Sequence, residues 1–167
     1  MDNDTHRARR ASRKCVGGLA LGMTNAFWDE RYSGDELVYG AAPNEFLAGV
    51  AGRFPRVGRA LDIGAGEGRN ALFLASLGLD VLAVDQSAVG MEKAQGRARE
   101  LGLKLGTRAV DLADFEAEAG SLDVVSSIFV HLPGELRARV HGRVRAWLKP
   151  GGVFVLEAYA PDQLERS

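Results

Sequence analysis

The chain has 167 residues, of which 46% are hydrophobic and 26% are charged, and its formal net charge is −1. This length predicts one domain, and the near-neutral charge argues against nucleic acid or an anionic membrane as a partner. No apolar run is long enough to span a bilayer, and a single cysteine, Cys15, excludes an internal disulfide. Because one unpaired cysteine fits a reducing compartment, we expect a cytoplasmic protein.

The first 25 residues form a basic segment that differs from the rest of the chain. It contains five cations, Arg7, Arg9, Arg10, Arg13 and Lys14. The segment shows no periodic spacing of apolar residues. Such a run is typical of a targeting segment, a nucleic-acid arm or a disordered tail, and the lack of a long apolar stretch favours the tail. We therefore predict an N-terminal extension over residues 1–25 and one folded domain over residues 26–167.

Apolar periodicity then predicts alternating helices and strands. The first helix covers residues 43–54, with Asn44 as its N-cap and a buried face of Phe46, Leu47, Val50 and Phe54. Strands are predicted at 59–64, 79–85, 103–111, 121–130 and 153–160. Further helices are predicted at 68–78, at 87–102 with Ser87 as its cap, and at 133–152, where Pro150 to Gly152 end it. The buried stripe of this last helix is predicted to be Leu136, Val140, Val144 and Leu148.

The order of these elements predicts the fold class. Strands and helices alternate, and the strands are almost continuously apolar, as expected for parallel strands that are covered on both faces. We therefore predict an α/β fold with a doubly wound, Rossmann-like and mostly parallel sheet. Ligands bind such sheets at the carboxyl ends of the strands, so the loop after the first strand is the place to look for a site.

That loop reads LDIGAGEG, from Leu61 to Gly68, and contains three glycines at alternate positions. A dinucleotide-binding loop requires a glycine at the position that Arg69 occupies, so the match to that fingerprint fails. Glu67 would also repel a pyrophosphate at the start of the following helix. A glycine turn beside the carboxylate of Asp62 instead favours a ligand with a cationic amino-acid portion.

The motifs resemble those of class I S-adenosylmethionine-dependent methyltransferases. The segments that carry the resemblance are LDIGAGEGRNALFLASLG, VLAVDQS, AVDLADF, SLDVVSSIFVHLP and LKPGG, in the family's order over roughly residues 26–160. The segment FWDERYSGDELVYGAAPNEFL further resembles small bacterial enzymes of the tellurite-resistance and thiopurine-methyltransferase type. The resemblance implies S-adenosylmethionine as cofactor, no metal, and a small-molecule methyl acceptor.

The resemblance also implies a set of cofactor-binding residues. Gly64, Gly66 and Gly68 would line the methionine portion, and Asp62 would anchor either that loop or the cofactor's amino group. Asp85 would accept both ribose hydroxyls. The adenine would lie near Gln86, Asp111 and the backbone of Leu112, although Asp111 also suits a simple turn. Ser127 and Ile128 would lie beneath the cofactor, and Trp28, Tyr32 and Tyr39 would cover it, with core packing as the alternative for Tyr32.

The reaction implied is methyl transfer to a thiol, a chalcogen oxyanion or another small metabolite. His131 follows the fourth strand near the expected acceptor, where it is either a general base or an exposed histidine without a chemical role. Two alternatives stay open: a catalytically weak S-adenosylmethionine-binding module, and an NAD-dependent oxidoreductase, which Arg69 disfavours.

The fifth strand leads to a further expectation. The family's sheet normally has seven strands, and this sequence ends shortly after the fifth. We therefore expect an uncovered fifth strand, with self-association through its edge.

Overall fold

The computed structural model describes residues 24–159. The predicted basic extension lies outside the described residues, except for Thr24 and Asn25. The Thr24 side chain accepts a hydrogen bond from the Phe27 backbone and caps the first helix, so these two residues belong to the folded domain.

The described chain contains five helices, one 3₁₀ turn and five strands. The helices are α1 (Asn25–Tyr32), α2 (Glu45–Gly49), α3 (Arg69–Ser76), α4 (Ala88–Glu100) and α5 (Gly134–Trp147), and the 3₁₀ turn is Ala51–Arg53. The strands are β1 (Arg59–Ile63), β2 (Asp80–Asp85), β3 (Gly106–Ala109), β4 (Leu122–Ile128) and β5 (Leu148–Glu157). No helix among residues 24–159 is long and apolar enough to cross a membrane.

The five strands form one sheet in the order β3-β2-β1-β4-β5, and every neighbouring pair is parallel. The predicted doubly wound, Rossmann-like fold is thus confirmed. Alternate residues of β1 enter two different apolar clusters, Ala60 with α3 and α4 residues such as Leu72 and Met91, and Leu61 with Val140 of α5. Both faces of the sheet are therefore buried, which explains why the strands are apolar at nearly every position.

Two predicted elements are shorter than expected. The helix predicted at 43–54 is the short α2, capped by Asn44 as predicted, and then a 3₁₀ turn. This break turns Phe46 outward, where 47% of it is exposed, while Leu47 is fully buried. The strand predicted at 103–111 is reduced to β3, because only its four residues pair with β2.

The end of the last helix was also predicted wrongly. Helix α5 stops at Trp147, and residues 148–152, including Pro150, already belong to β5. Leu148 pairs with Leu122 of β4, and a register irregularity between Leu122 and Val124 accommodates the proline and glycines. As a result Trp147, and not Leu148, completes the buried stripe of α5.

Candidate functional site

The glycine loop follows β1 and touches three different parts of the protein. Gly64, Gly66 and Gly68 all have positive φ, at 65°, 54° and 82°, a backbone conformation that other residues rarely adopt. A Cβ atom at Gly64 would lie 2.5 Å from the Val130 side chain, and one at Gly68 would lie 2.6 Å from Cβ of Ala94. Gly68 therefore lets the start of α3 pack directly on α4.

Asp85 ends β2 and holds the glycine loop in place. Its Oδ2 accepts a hydrogen bond from the Gly66 backbone at 2.9 Å, and its Oδ1 accepts one from the Ser87 backbone at 2.9 Å. Only 8% of Asp85 is exposed, so this carboxylate is largely buried. Burial raises the pKa of Asp85, while the two backbone hydrogen bonds oppose that shift.

Asp62 lies inside the sheet, one residue before the end of β1. It is fully buried, and its Oδ1 accepts a hydrogen bond from the Ser126 hydroxyl of β4 at 2.6 Å. Its Oδ2 is buried without a hydrogen-bond partner. Burial, with a further contribution from the charge of Asp85, raises the pKa of Asp62 from 3.8 to about 7.

The side chain of Glu67 connects the glycine loop to the N-terminal segment, a role that the sequence did not reveal. One carboxylate oxygen accepts from the Val38 backbone at 2.8 Å, and the other pairs with Lys93 of α4 at 3.0 Å. Glu67 is 6% exposed, so this ion pair is largely shielded from water. Val38 and Lys93 are 29 and 26 positions from Glu67 in the sequence. The spacing of residues in the sequence therefore gives no indication of these contacts.

Helix α1 covers the other side of the glycine loop. The Tyr32 ring is buried and stacks on Trp28, with 5.6 Å between ring centroids. A Cβ atom at Gly66 would lie 2.7 Å from the Tyr32 hydroxyl. Burial and the neighbouring charge of Asp85 raise the pKa of Tyr32, so it stays protonated and can donate a hydrogen bond.

Five of the predicted residues lie beside these groups in different settings. Ser127 and Ile128 end β4 and are buried. Gln86 is half-buried next to Asp85, and the Leu112 side chain is in the core. The Asp111 side chain is exposed and accepts a hydrogen bond from the Ala113 backbone, which is the turn arrangement that the sequence had left open.

Tyr39 and His131 are also exposed. Tyr39 is 47% exposed, and the guanidinium groups of Arg31 and Arg69 lie 5.5 and 6.0 Å from its ring centroid. The exposed His131 ring is parallel to that of Tyr159 at 5.6 Å. No group of three metal-ligating side chains occurs within residues 24–159.

This arrangement can be compared with known proteins. The family model described as a methyltransferase domain matches residues 60–152, which include the glycine loop and all strands from β1 to β4. The chain belongs to the methyltransferase domain family. This family assignment agrees with the predicted methyltransferase resemblance and not with the NAD-dependent alternative.

Two curated relatives also match this methyltransferase domain. It is 32% identical over 113 residues to 2-heptyl-1-hydroxyquinolin-4(1H)-one methyltransferase of Mycobacteroides abscessus, a match that covers 63% of this chain and 50% of that protein. It is 39% identical over 111 residues to ubiquinone biosynthesis O-methyltransferase of a Caulobacter species, covering 63% of this chain and 42% of the relative. The chain thus spans about half the length of these curated relatives.

Solved structures agree with the family assignment. A protein studied for the conversion of a disulfide bond into a thioacetal group during echinomycin biosynthesis is 26% identical, with a TM-score of 0.68 over 80% of this chain and 59% of that one. An S-adenosylmethionine-dependent methyltransferase from Mesorhizobium loti is 26% identical, with a TM-score of 0.55 over 64% of this chain and 49% of that one. The methyltransferase domain therefore shares its fold with enzymes that use S-adenosylmethionine.

Proposed function

We propose that the chain binds S-adenosylmethionine over the glycine loop and transfers its methyl group to a small molecule. The observation that carries this proposal is the double anchorage of Asp85. The carboxylate accepts backbone hydrogen bonds from Gly66 and Ser87, with the Gln86 backbone as a further partner, and a carboxylate can accept about four, so capacity remains for a ribose hydroxyl. The unpartnered Oδ2 of Asp62 further supports a cationic amino group nearby, because a buried carboxylate is stabilised by a positive charge.

The cofactor supplies the reactive group in the proposed reaction, and the protein binds and positions it. The sulfonium cofactor supplies an electrophilic methyl group. The chain would hold the cofactor's ribose at Asp85 and shield it from water with Tyr32 and Trp28 of α1, so that the methyl group is positioned for the acceptor. His131 does not enter this scheme.

The relatives support an oxygen atom as methyl acceptor, because one of them is by name an O-methyltransferase. The closer kinship to tellurite-resistance and thiopurine methyltransferases rests on residues 27–47 alone. The two curated relatives have other names, so that kinship stays a prediction.

Asp85→Asn tests the cofactor proposal. An amide offers one acceptor oxygen in place of two. Its NH₂ group would face one of the backbone N–H groups that donate to Asp85 in the wild type, so that two donors would oppose each other. We expect affinity for S-adenosylhomocysteine, measured by calorimetry, to fall roughly 10- to 100-fold, the scale of hydrogen bonds to a charged group. The exposed Asp114→Asn serves as control. Unchanged affinity in a folded Asp85→Asn variant would argue against a ribose at this carboxylate.

We also propose that β5 mediates self-association. Within residues 24–159, β5 pairs only with β4, and its Leu156 is 43% exposed. An apolar, unpaired edge is a template for another strand. We expect the average mass in sedimentation equilibrium to rise with protein concentration, and Leu156→Lys to reduce that rise. A monomer over the whole concentration range would refute this proposal.

A further inference from the structure

A cleft of about 430 Å³ lies at the carboxyl ends of β4 and β5, away from the residues proposed to bind the cofactor's ribose and adenine. Phe129, directly after β4, and Glu157, the last residue of β5, line one side, and residues 39–46 line the other. Asp85 and Asp111 follow β2 and β3, which lie on the opposite side of β1 in the sheet. The cleft is therefore placed for the second reactant, and its volume suits a small molecule.

Three aromatic side chains, Tyr39, Phe46 and Phe129, line this cleft. Tyr39 and Phe46 line it from the N-terminal side, and 47% of each is exposed. On the opposite wall the Phe129 ring lies 4.8 Å from that of Tyr159, which in turn stacks on His131. Such rings gain stability when another flat apolar surface covers them, by offset or edge-on contact.

The backbone holds Phe129 in an unusual conformation. It is the one non-glycine residue of the described chain with positive φ, at 55°. This conformation is costly for a bulky side chain, and it persists where the surrounding structure enforces it. Here the Phe129 backbone N–H donates to the Glu157 carbonyl at 2.8 Å, which extends the β4–β5 pairing and fixes the position of the ring.

The cleft also contains one hydrogen-bonding acid. The Glu157 carboxylate accepts a hydrogen bond from the Asn44 amide at 2.7 Å. Two further hydrogen bonds hold Asn44 in place. Its backbone N–H donates to the Asn70 side chain, and its own Oδ1 accepts from the Leu47 backbone N–H. Arg69 and the exposed Glu45 line the same cleft, so it holds one positive and two negative side chains. This excess of negative charge disfavours an oxyanion as ligand, and a compound whose hydroxyl is protonated avoids the repulsion.

We propose that this cleft binds a neutral, planar aromatic or heteroaromatic compound that carries a hydroxyl group, and that this compound is the methyl acceptor. The ring lies against Phe129 and Tyr39, and the hydroxyl donates to Glu157. In the transfer, an electron pair of the hydroxyl oxygen forms the new bond to the methyl carbon. The carbon–sulfur bond breaks, its electrons stay on sulfur to leave the neutral thioether, and the hydroxyl proton passes to the Glu157 carboxylate. The inference rests on the proposed methyl transfer.

Two compounds with the same carbon skeleton test the proposal. 1-Naphthol is planar and aromatic, whereas decahydro-1-naphthol keeps the hydroxyl and loses the flat ring. Binding of each is measured by calorimetry with and without S-adenosylhomocysteine, and 1-methoxynaphthalene is sought by chromatography after incubation with S-adenosylmethionine. We expect at least tenfold tighter binding of 1-naphthol. Phe129→Leu should weaken that binding about fivefold, within the range of aromatic pair energies, while the exposed Phe27→Leu on α1 leaves it within twofold.

The controls separate the two levels of the proposal. Binding of S-adenosylhomocysteine is titrated alone, and its failure would contradict the proposed function. Equal binding of the two naphthalene alcohols, or no effect of Phe129→Leu, would overturn the aromatic-acceptor site while leaving that function standing. A Phe129→Leu variant that loses S-adenosylhomocysteine as strongly as 1-naphthol would also overturn it, because the cleft would then belong to the cofactor. Glu157→Gln should reduce 1-methoxynaphthalene formation more than 1-naphthol binding, as expected for a proton acceptor.

Discussion

Replacing Gly68 by alanine is expected to lower the free energy of unfolding by about 3 kcal/mol. Two costs add, a non-glycine residue at φ 82° at roughly 1–2 kcal/mol, and forced overpacking at roughly 1–3 kcal/mol. The new Cβ would lie 2.6 Å from the Ala94 Cβ and 3.2 Å from its Cα, and the backbone of a buried helix cannot easily move away. Urea denaturation measures the loss.

A matched glycine separates these two costs. Gly102 also has positive φ, at 66°, but a Cβ there would meet nothing within 4 Å. Gly102→Ala should therefore lose only about 1–2 kcal/mol, the conformational part. Ala94→Gly removes the methyl group that would clash with the Cβ introduced by Gly68→Ala. The double variant should therefore lose less free energy of unfolding than the sum of the losses of the two single variants. Equal losses at Gly68 and Gly102 would show that the contact between α3 and α4 is unimportant.

Asp62→Asn is expected to stabilise the protein at alkaline pH and to weaken cofactor binding. Burial raises the pKa of Asp62 to about 7 from 3.8, so the folded state holds this proton over a range where the unfolded state has lost it. The free energy of unfolding contributed by Asp62 therefore falls as pH rises from about 4 to 7, by on the order of 4 kcal/mol. An asparagine keeps the bond to Ser126 and carries no charge to desolvate.

The measurement is a pair of denaturation curves at pH 5 and pH 8.5. The variant should be more stable than wild type by roughly 1.5 kcal/mol at pH 5, where about a third of the loss has occurred, and by on the order of 4 kcal/mol at pH 8.5. The exposed Asp80→Asn on β2 is the control, with no such pH-dependent gain. If the Asp62 charge also attracts the cofactor's amino group, the same variant should bind S-adenosylhomocysteine more weakly at pH 8.5. Equal stability of wild type and variant at pH 8.5 would contradict a buried charge at Asp62.

The pH dependence would explain why a costly carboxylate lies inside the sheet. A buried charge without a full set of hydrogen-bond partners destabilises the folded chain, and the Oδ2 of Asp62 has no such partner. A cation bound at this position would recover the cost on binding. Stability and cofactor affinity would then respond in opposite directions to the same substitution, as often occurs where function requires strain.

The sequence by itself determined the family and the order of the elements. The glycine loop, the acid at the end of β2 and the alternation of apolar strands with capped helices are local patterns, and each depends on residues within a few positions of one another. Asn44 and Ser87 cap their helices as predicted, because capping is a contact over three residues. The helix end at Trp147 was missed because pairing with β4 overrides the turn preference of Pro150 and Gly151.

Only the tertiary structure decided what the site residues touch. Tyr32 lies near enough to Asp85 to feel its charge and closes over Gly66, although these residues come from separate parts of the chain. The bond between Asn44 and Glu157 joins residues 113 positions apart, and it assembles the polar end of the aromatic cleft. Long-range contacts of this kind depend on the parallel pairing of β4 with β5 and on the return of the N-terminal segment over the sheet, which no local spacing encodes.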